Sequence, residues 1–396
     1  MELKYFVTGA AGFIGANYVR NLMRKDPNAK VLAFDLLTYA GNAATLDAEL
    51  STGRLELVRG DVADAAAVES AMRAFKPDFI VHFAAESHVD RSIDNPEPFI
   101  RTNVCGTQIL LETARRIRGE EIAAGKKPSL KKFIQIGTDE VYGFLPLDRP
   151  EGVRLPVGFN RLIGRPDDYP TVTYGTGVFS ESTPLDPSSP YSASKASADM
   201  IALAYARTYG MPVCVTRCSN NYGPCQFPEK LIPLMINNML QGRPLPVYGS
   251  GMNVRDWLHV DDHCSAIDTV IEKGLPGEVY NIGGFNERLN IDIVKTLIAT
   301  VSRLLAENCR YAALSVLRPE DINESMIEFV GDRPAHDLRY AIDPGKLVNE
   351  LGWRPEINFE AGIESTVRWY LDNRDWVESV VSGDYKDYYE KMYSNR

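Results

Sequence analysis

Short apolar runs rich in β-branched residues alternate along the first half of the chain with longer stretches of helical spacing. Residues 5–7 form the first run and lead into a glycine-rich loop, after which residues 16–24 read as a helix. Further strand-like runs fall at 31–35, 55–58, 79–83, 132–136 and 212–216, with a helical stretch near 99–117 between the fourth and fifth of the six. Strands alternating with helices predict βαβ units and a parallel sheet covered on both faces. The rhythm breaks twice. Residues 144–190 hold many Pro, Gly and Asp residues and little periodicity. That is too long for an ordinary connection and predicts a lid or an elaborated surface loop. Beyond Asn220 Pro and Gly become frequent and the helical stretches short, which predicts a second, smaller lobe.

The loop after the first strand carries Gly9, Gly12 and Gly15 and opens the first helix. Glycines at this spacing permit a tight turn, close approach of a pyrophosphate and close helix–sheet packing. The helix N-terminus then offers free N–H groups and a positive dipole end to an anion. Asp35 ends the second strand about 20 residues further on, the place from which a carboxylate accepts a ribose 2′-hydroxyl and repels a 2′-phosphate. No Arg adjoins it, so NAD is favoured over NADP. Asp61 and Val62, just past the third strand, are placed to meet an adenine. A bare glycine turn is the alternative reading. The predicted fold class is α/β: a doubly wound parallel Rossmann-type sheet with a smaller C-terminal α/β substrate lobe. Residues 1–217, with about 257–282, are expected to form the NAD-binding domain, and 218–256 with 283–396 the substrate domain.

Tyr191 and Lys195 stand four apart, on one face of a helix, and Ser189-Pro190 before them suits a helix start. A phenol titrates near pH ~10 and is a poor base at neutrality. An ammonium beside it, together with an oxidised nicotinamide, would lower that value, so the Tyr could remove a hydroxyl proton as hydride leaves for NAD. A surface helix carrying the same pair is the bland alternative. Thr138, Asp139 and Glu140 follow the fifth strand directly. Ligands of open α/β sheets sit at the carboxyl ends of the strands, so these three are expected to face the cleft. Two adjacent carboxyls there can act as acid and base if their surroundings separate their pKa values; a solvated strand-end turn is the other reading.

Composition narrows the class. The 396 residues are 44% hydrophobic and 24% charged, enough for a substantial core. Acidic residues outnumber basic ones 53 to 43, a net charge of −10, which argues against a nucleic-acid partner. The only basic clusters, Arg115, Arg116, Arg118 and then Lys126, Lys127, Lys131, Lys132, read as a solvated helix end and its loop. Six cysteines show no C-x-x-C spacing and five histidines no ligand motif, so the expectation is reduced, buried thiols, no metal and a cytoplasmic setting. The chain runs straight into a strand, so no signal peptide is expected. No apolar stretch reaches the ~18 residues of a membrane span.

These residues carry a resemblance. The chain resembles the extended short-chain dehydrogenase/reductases and, within them, the dTDP-glucose 4,6-dehydratases. The resemblance rests on residues 8–15, 37–42, 82–92, 138–143, 188–195, 219–224, 227–233, 255–258 and 332–337. The Thr138-Asp139-Glu140 triplet is its most specific part; epimerases and decarboxylases of the superfamily keep the Tyr/Lys pair but usually lack Asp-Glu there, and they remain the alternative, along with an NAD-bound scaffold. The resemblance implies that Tyr191 oxidises a sugar at C4, with Thr138 bonding O4 and Lys195 holding the ribose. Glu140 then removes the C5 proton, protonated Asp139 donates to the departing C6 hydroxyl, and hydride returns to C6. It also implies cofactor contacts at Phe13, Ile14 and Ala84. Substrate contacts are implied at Ser87, His88, Asn220, Lys230, Leu231, Arg255, Asn290, Arg333, His336 and Tyr393, with Pro246 and Tyr248 lining a base pocket. The implied partner is a small nucleotide sugar, with no membrane, and the helices near 99–117 and 191–208 resemble a homodimer interface. Gly137 stands where the family more often has Ser.

Overall fold

The computed structural model describes residues 2–332, 334 and 336–381. Its centre is a seven-stranded sheet: β1 (Lys4–Thr8), β2 (Lys30–Asp35), β3 (Leu55–Arg59), β4 (Phe79–His82), β5 (Lys132–Thr138), β6 (Val213–Cys218) and β7 (Val279–Ile282), in the order β7-β6-β5-β4-β1-β2-β3. Every pairing is parallel. The order reverses beside β1, the switch point at which such sheets open a crevice.

The helices are α1 (Phe13–Lys25), α2 (Ala65–Phe75), α3 (Val89–Asp94), α4 (Thr107–Ala123), α5 (Pro190–Tyr209), α6 (Leu231–Leu240), α7 (Val260–Lys273), α8 (Asn290–Glu307), α9 (Phe359–Asp372) and α10 (Arg374–Val380). Alternation along the strands decides which helices cover which face. Tyr5, Val7, Val31 and Val81 pack with Val19 of α1 and Ile267 and Val270 of α7. Phe6, Leu32, Phe34 and Phe133 pack with Met72 of α2, Leu110 of α4 and Ala202 of α5. A third core joins Ile232, Met235, Trp257, Val294, Leu297, Ile363 and Tyr370. Leu347, Leu351 and Trp353 return to the first.

Several expectations need correction. The stretch near 99–117 is a π turn over Ile100–Gly106 running into α4. The helices beyond Asn220 are not short: α7 and α9 have 14 residues and α8 has 18. Residues 144–190 form an elaborated surface excursion, one of the two expectations, rather than an irregular loop throughout. They contain a small hairpin, Val153–Arg154 with Val172–Thr173, and bury Tyr174 and Phe179. Fully buried Arg339 pins them, donating to Glu287 Oε2 at 2.7 Å and to the Gly177 carbonyl at 2.8 Å. Lys132 is not a solvated loop residue but is buried. All six thiols are free; four are buried, whereas Cys105 and Cys309 are exposed. Among the described residues no helix is long and apolar enough to cross a membrane.

Candidate active site

One cavity of about 320 Å³ opens at the carboxyl ends of the strands. Gly9, Gly12, Phe13, Ile14, Gly15, Asp35, Asp61, Val62 and Ala84 line it on the β1–β3 side, and Thr138, Asp139, Glu140, Tyr191 and Lys195 on the β5 side. Ser87, Asn220 and Lys230 complete the expected residues that reach it.

Two glycines are dictated by contact. Gly9 has φ +64°, and a Cβ there would lie 2.6 Å from the Ala84 nitrogen; at Gly15 it would lie 2.1 Å from the Gly9 carbonyl oxygen. The turn therefore brings α1 hard against β1. Helix α1 has Gly12 as its N-cap, no side-chain cap and no acidic residue in its first turn, so its N–H groups remain for an anion. The Asp35 carboxylate is set by two backbone donors, Ala11 N–H at 2.9 Å and Leu37 N–H at 2.8 Å, while burial pushes its pKa up. Asp61 holds Arg101 at 2.6 Å. This donor set, two carboxylates flanking an uncapped helix start, fits a dinucleotide.

Helix α5 begins as its sequence requires: Ser189 and Ser192 form a reciprocal capping box and Pro190 takes the first position. That start places Tyr191 and Lys195 toward the end of β5. The Lys195 ammonium donates to the Ile136 carbonyl at 2.6 Å. Burial lowers its pKa, with Asp199 opposing. In the chain by itself the Tyr191 phenol is raised: burial comes first, then the Glu140 charge, with a hydrogen bond to Thr138 acting the other way.

Asp139 and Glu140 enter a short 3-10 turn directly after β5. Asp139 is 1% exposed and its Oδ2 has no hydrogen-bond partner among the described residues. Burial, then Glu140 and Asp256, hold its carboxyl well above the usual range, and Arg255 works against them. Such surroundings favour the neutral, proton-donating form of the carboxyl. Gly137 is explained here: a Cβ would meet the Thr216 carbonyl at 2.6 Å and the Asp199 carboxylate at 3.0 Å.

Other expected substrate residues stand outside the cavity wall. Leu231 opens α6, and His88 precedes α3 with its Nε2 4.0 Å from Glu229. Arg255 is buried, donating to the carbonyls of Val254 at 2.7 Å and Asp337 at 2.9 Å, with its guanidinium 4.2 Å from the Tyr340 ring centroid. Pro246 and Tyr248 lie on a strand, Leu245–Tyr248, paired with Ile327–Val330. The Tyr248 ring meets His336 edge-on at 6.0 Å, and His336 Nδ1 lies 2.5 Å from Asp332. Asn290 opens α8 with its Oδ1 buried and unpartnered among the described residues. Arg333 and Tyr393 lie outside the described residues.

Sequence reasoning passed over Glu86, Thr102, Cys218, Phe227 and Glu229, which also line the cavity. Cys218 ends β6, so its strand-end position alone was a usable signal. Glu86, Phe227 and Glu229 sit inside runs that carried the resemblance, whereas Thr102 had no signal.

Residues 5–283 match the model of the NAD dependent epimerase/dehydratase family. A dTDP-glucose 4,6-dehydratase of Escherichia coli is 46% identical over 385 residues, 97% of this chain and 98% of the relative. The solved dTDP-glucose 4,6-dehydratase of Bacillus anthracis str. Ames, in complex with NAD, has a TM-score of 0.76 at 42% identity, covering 96% of this chain and 99% of its own. One from Streptomyces venezuelae, also with NAD bound, has a TM-score of 0.77 at 41% identity, covering 96% and 100%.

Proposed function

Because the chain belongs to the NAD dependent epimerase/dehydratase family, and within it to the dTDP-glucose 4,6-dehydratases, we propose that its cavity converts a nucleotide-linked glucose, dTDP-glucose above others, to the 4-keto-6-deoxy sugar and water. The observation that carries this reading is the pair of adjacent carboxyls, one buried with an unpartnered oxygen and its pKa pushed up, beside a buried phenol and ammonium. An epimerase needs the phenol alone; removing water needs an acid as well as a base.

Gly9, Gly12, Gly15 and the first turn of α1 would hold the diphosphate of NAD, with Asp35 on its ribose and Asp61 and Val62 near the adenine. When bound, NAD supplies the hydride acceptor for C4 and the donor for C6. The chain's own residues move the protons. Tyr191 takes the proton of the C4 hydroxyl, with Thr138 bonding the same oxygen. Its phenol is held up by burial and Glu140, so the compensating charge that lets it ionise is the Lys195 ammonium. The C4 ketone acidifies C5–H, and Glu140 removes that proton. Asp139 gives its own proton to the C6 hydroxyl, the C6–O bond breaks, and water leaves. Glu140 then returns a proton to C5 as C6 is reduced, O4 stays a ketone oxygen, and the proton held by Tyr191 is given up to solvent while Asp139 takes one back, which resets both groups.

Ser87, Asn220 and Lys230 are the substrate contacts nearest the reacting end, and the two-domain division expected from the sequence is part of this proposal. So is a homodimer built on the π turn with α4 and on α5, where Ile100, Met200 and Tyr209 are exposed, and a cytoplasmic setting consistent with six free thiols. The deciding experiment supplies a panel of nucleotide glucoses and follows product mass. Loss of one water, uptake of one solvent hydrogen at C5 and intramolecular transfer of the C4 hydrogen to C6 are the expected results. Inversion at C4 without loss of water would replace this reading with an epimerase.

A further inference from the structure

Tyr39, Arg91 and Glu229 come from three separated segments and meet at the cavity's edge. The Tyr39 hydroxyl donates to Glu229 Oε1 at 3.2 Å, and an Arg91 N–H donates to Oε2 at 3.2 Å. The same guanidinium lies over the Tyr39 ring, 3.8 Å from its centroid. The Glu229 side chain is only 3% exposed. A buried ion pair seldom stabilises a fold on balance, because desolvation offsets the attraction; its presence calls for another use. Each member lies in a run that carried the family resemblance, yet none has a part in the chemistry above.

The placement suggests that use. Tyr39 follows Asp35 closely, and its neighbours Thr38, Ala40 and Gly41 line the cavity on the β2 side. Glu229 and Lys230 line it from the other lobe. The same β2-side segment is tied to that lobe twice more: Trp376 Nε1 donates to Thr45 Oγ1 at 2.9 Å, and Asn42 Nδ2 to Ser379 Oγ at 3.2 Å. The wall that meets the adenosine end of the cavity is thus fastened to the lobe that meets the sugar.

We propose that Tyr39, Arg91 and Glu229 form a clasp that retains NAD from one turnover to the next. This rests on the dehydratase reading: a cycle that ends with its cofactor in the form in which it began has no need to exchange it. Parting the two walls requires giving up a guanidinium–carboxylate bond, a phenol–carboxylate bond and a cation–ring contact together. Cofactor release is therefore slow while the clasp is intact.

The test loads the purified protein with labelled NAD, adds an excess of unlabelled NAD and follows release of the label. Arg91→Met and Glu229→Gln should release it about tenfold faster or more, because removing one partner of a buried charge pair acts mainly on the off-rate. Tyr39→Phe, which loses one hydroxyl, should release it about threefold faster. Arg303→Met, which breaks an exposed ion pair with Glu307 and Glu364 away from the cavity, should keep the parent rate. If Arg91→Met fails to fold, Tyr39→Phe and Glu229→Gln decide. Parental release in those variants, or equal acceleration in Arg303→Met, overturns the clasp. The measurement involves no sugar nucleotide. A chain that releases NAD as expected yet removes no water from its substrate would sink the dehydratase reading and leave the clasp standing.

Discussion

Two buried lysines serve the opposite ends of β5, and they are spent differently. Lys132 begins the strand, and its ammonium donates to the carbonyls of Val270, Ile271 and Gly274 at 2.7–2.9 Å, at the C-terminal end of α7. All three N–H bonds are used, against the end of a helix where a cation is favoured. Lys195 reaches the far end of the strand from α5 and, among the described residues, donates to Ile136 alone. Beside it Asp139 keeps Oδ2 unpartnered among the described residues. Leaving a buried polar group unmatched costs about 1–3 kcal/mol. At the start of β5 the lysine's bonds are all taken; toward its far end the ammonium and the Asp139 carboxyl retain capacity for a ligand, and that difference locates the chemistry.

The strongest way to break this contrast is to remove an unspent group. Tyr191→Phe should abolish the first oxidation, with turnover down about 10³-fold or more. The check is the absorbance of reduced cofactor on adding sugar nucleotide, and an undiminished signal would take the phenol out of its role. Glu140→Gln should be milder, about 10²-fold, because C4 oxidation partly survives while the C5 proton stays. Reduced cofactor should then accumulate and solvent deuterium at C5 should fall. Elimination at the parent rate would assign the base elsewhere.

What the chain announced in advance were features with local signals. The glycine loop, Asp35 at a strand end, and Tyr191 and Lys195 behind Ser189-Pro190 depend on neighbours within a turn or a strand. The clasp does not: Tyr39 and Glu229 are 190 residues apart, and no local pattern joins them. Lys132 sits in a basic run and reads as solvated, yet the carbonyls that receive it are contributed from 138 residues away or more. Helix α8 was legible in principle, since Ile293, Val294, Leu297 and Val301 keep helical spacing, but the surrounding Pro and Gly drew attention to turns. Tyr191 shows the limit of pairwise reasoning. Its ammonium neighbour was visible in the sequence, whereas the burial and the Glu140 charge that outweigh it exist only in the folded chain.

A paired substitution sharpens the lysine comparison. Lys132→Met strands three carbonyls and should cost about 2 kcal/mol of stability, with turnover per folded molecule near that of the parent. Lys195→Met should lose turnover and keep or slightly gain stability, since an ammonium with a single bond gives way to an apolar chain of similar length. Urea unfolding of both, beside the parent, measures this. Equal losses of stability in the two variants would erase the distinction between the two ends.

The smallest expected effect tests whether Asp139 sits as a neutral acid. Burial, Glu140 and Asp256 hold its folded pKa above the unfolded value, which lies near ~4. A carboxyl raised in this way gives its full stabilising contribution below the unfolded value and loses it as the pH rises through the folded one, because the unfolded chain releases the proton first. The amide of Asp139→Asn cannot titrate. The variant and the parent should therefore differ least in acid. Toward neutrality the variant should become the more stable by about 1 kcal/mol, although its elimination step is lost. Unfolding free energies measured across that range with NAD saturating give the sign directly. If the parent instead gains on the variant as the pH rises, Asp139 is ionised where it lies beside Glu140, and the proton for the departing hydroxyl must come from another group.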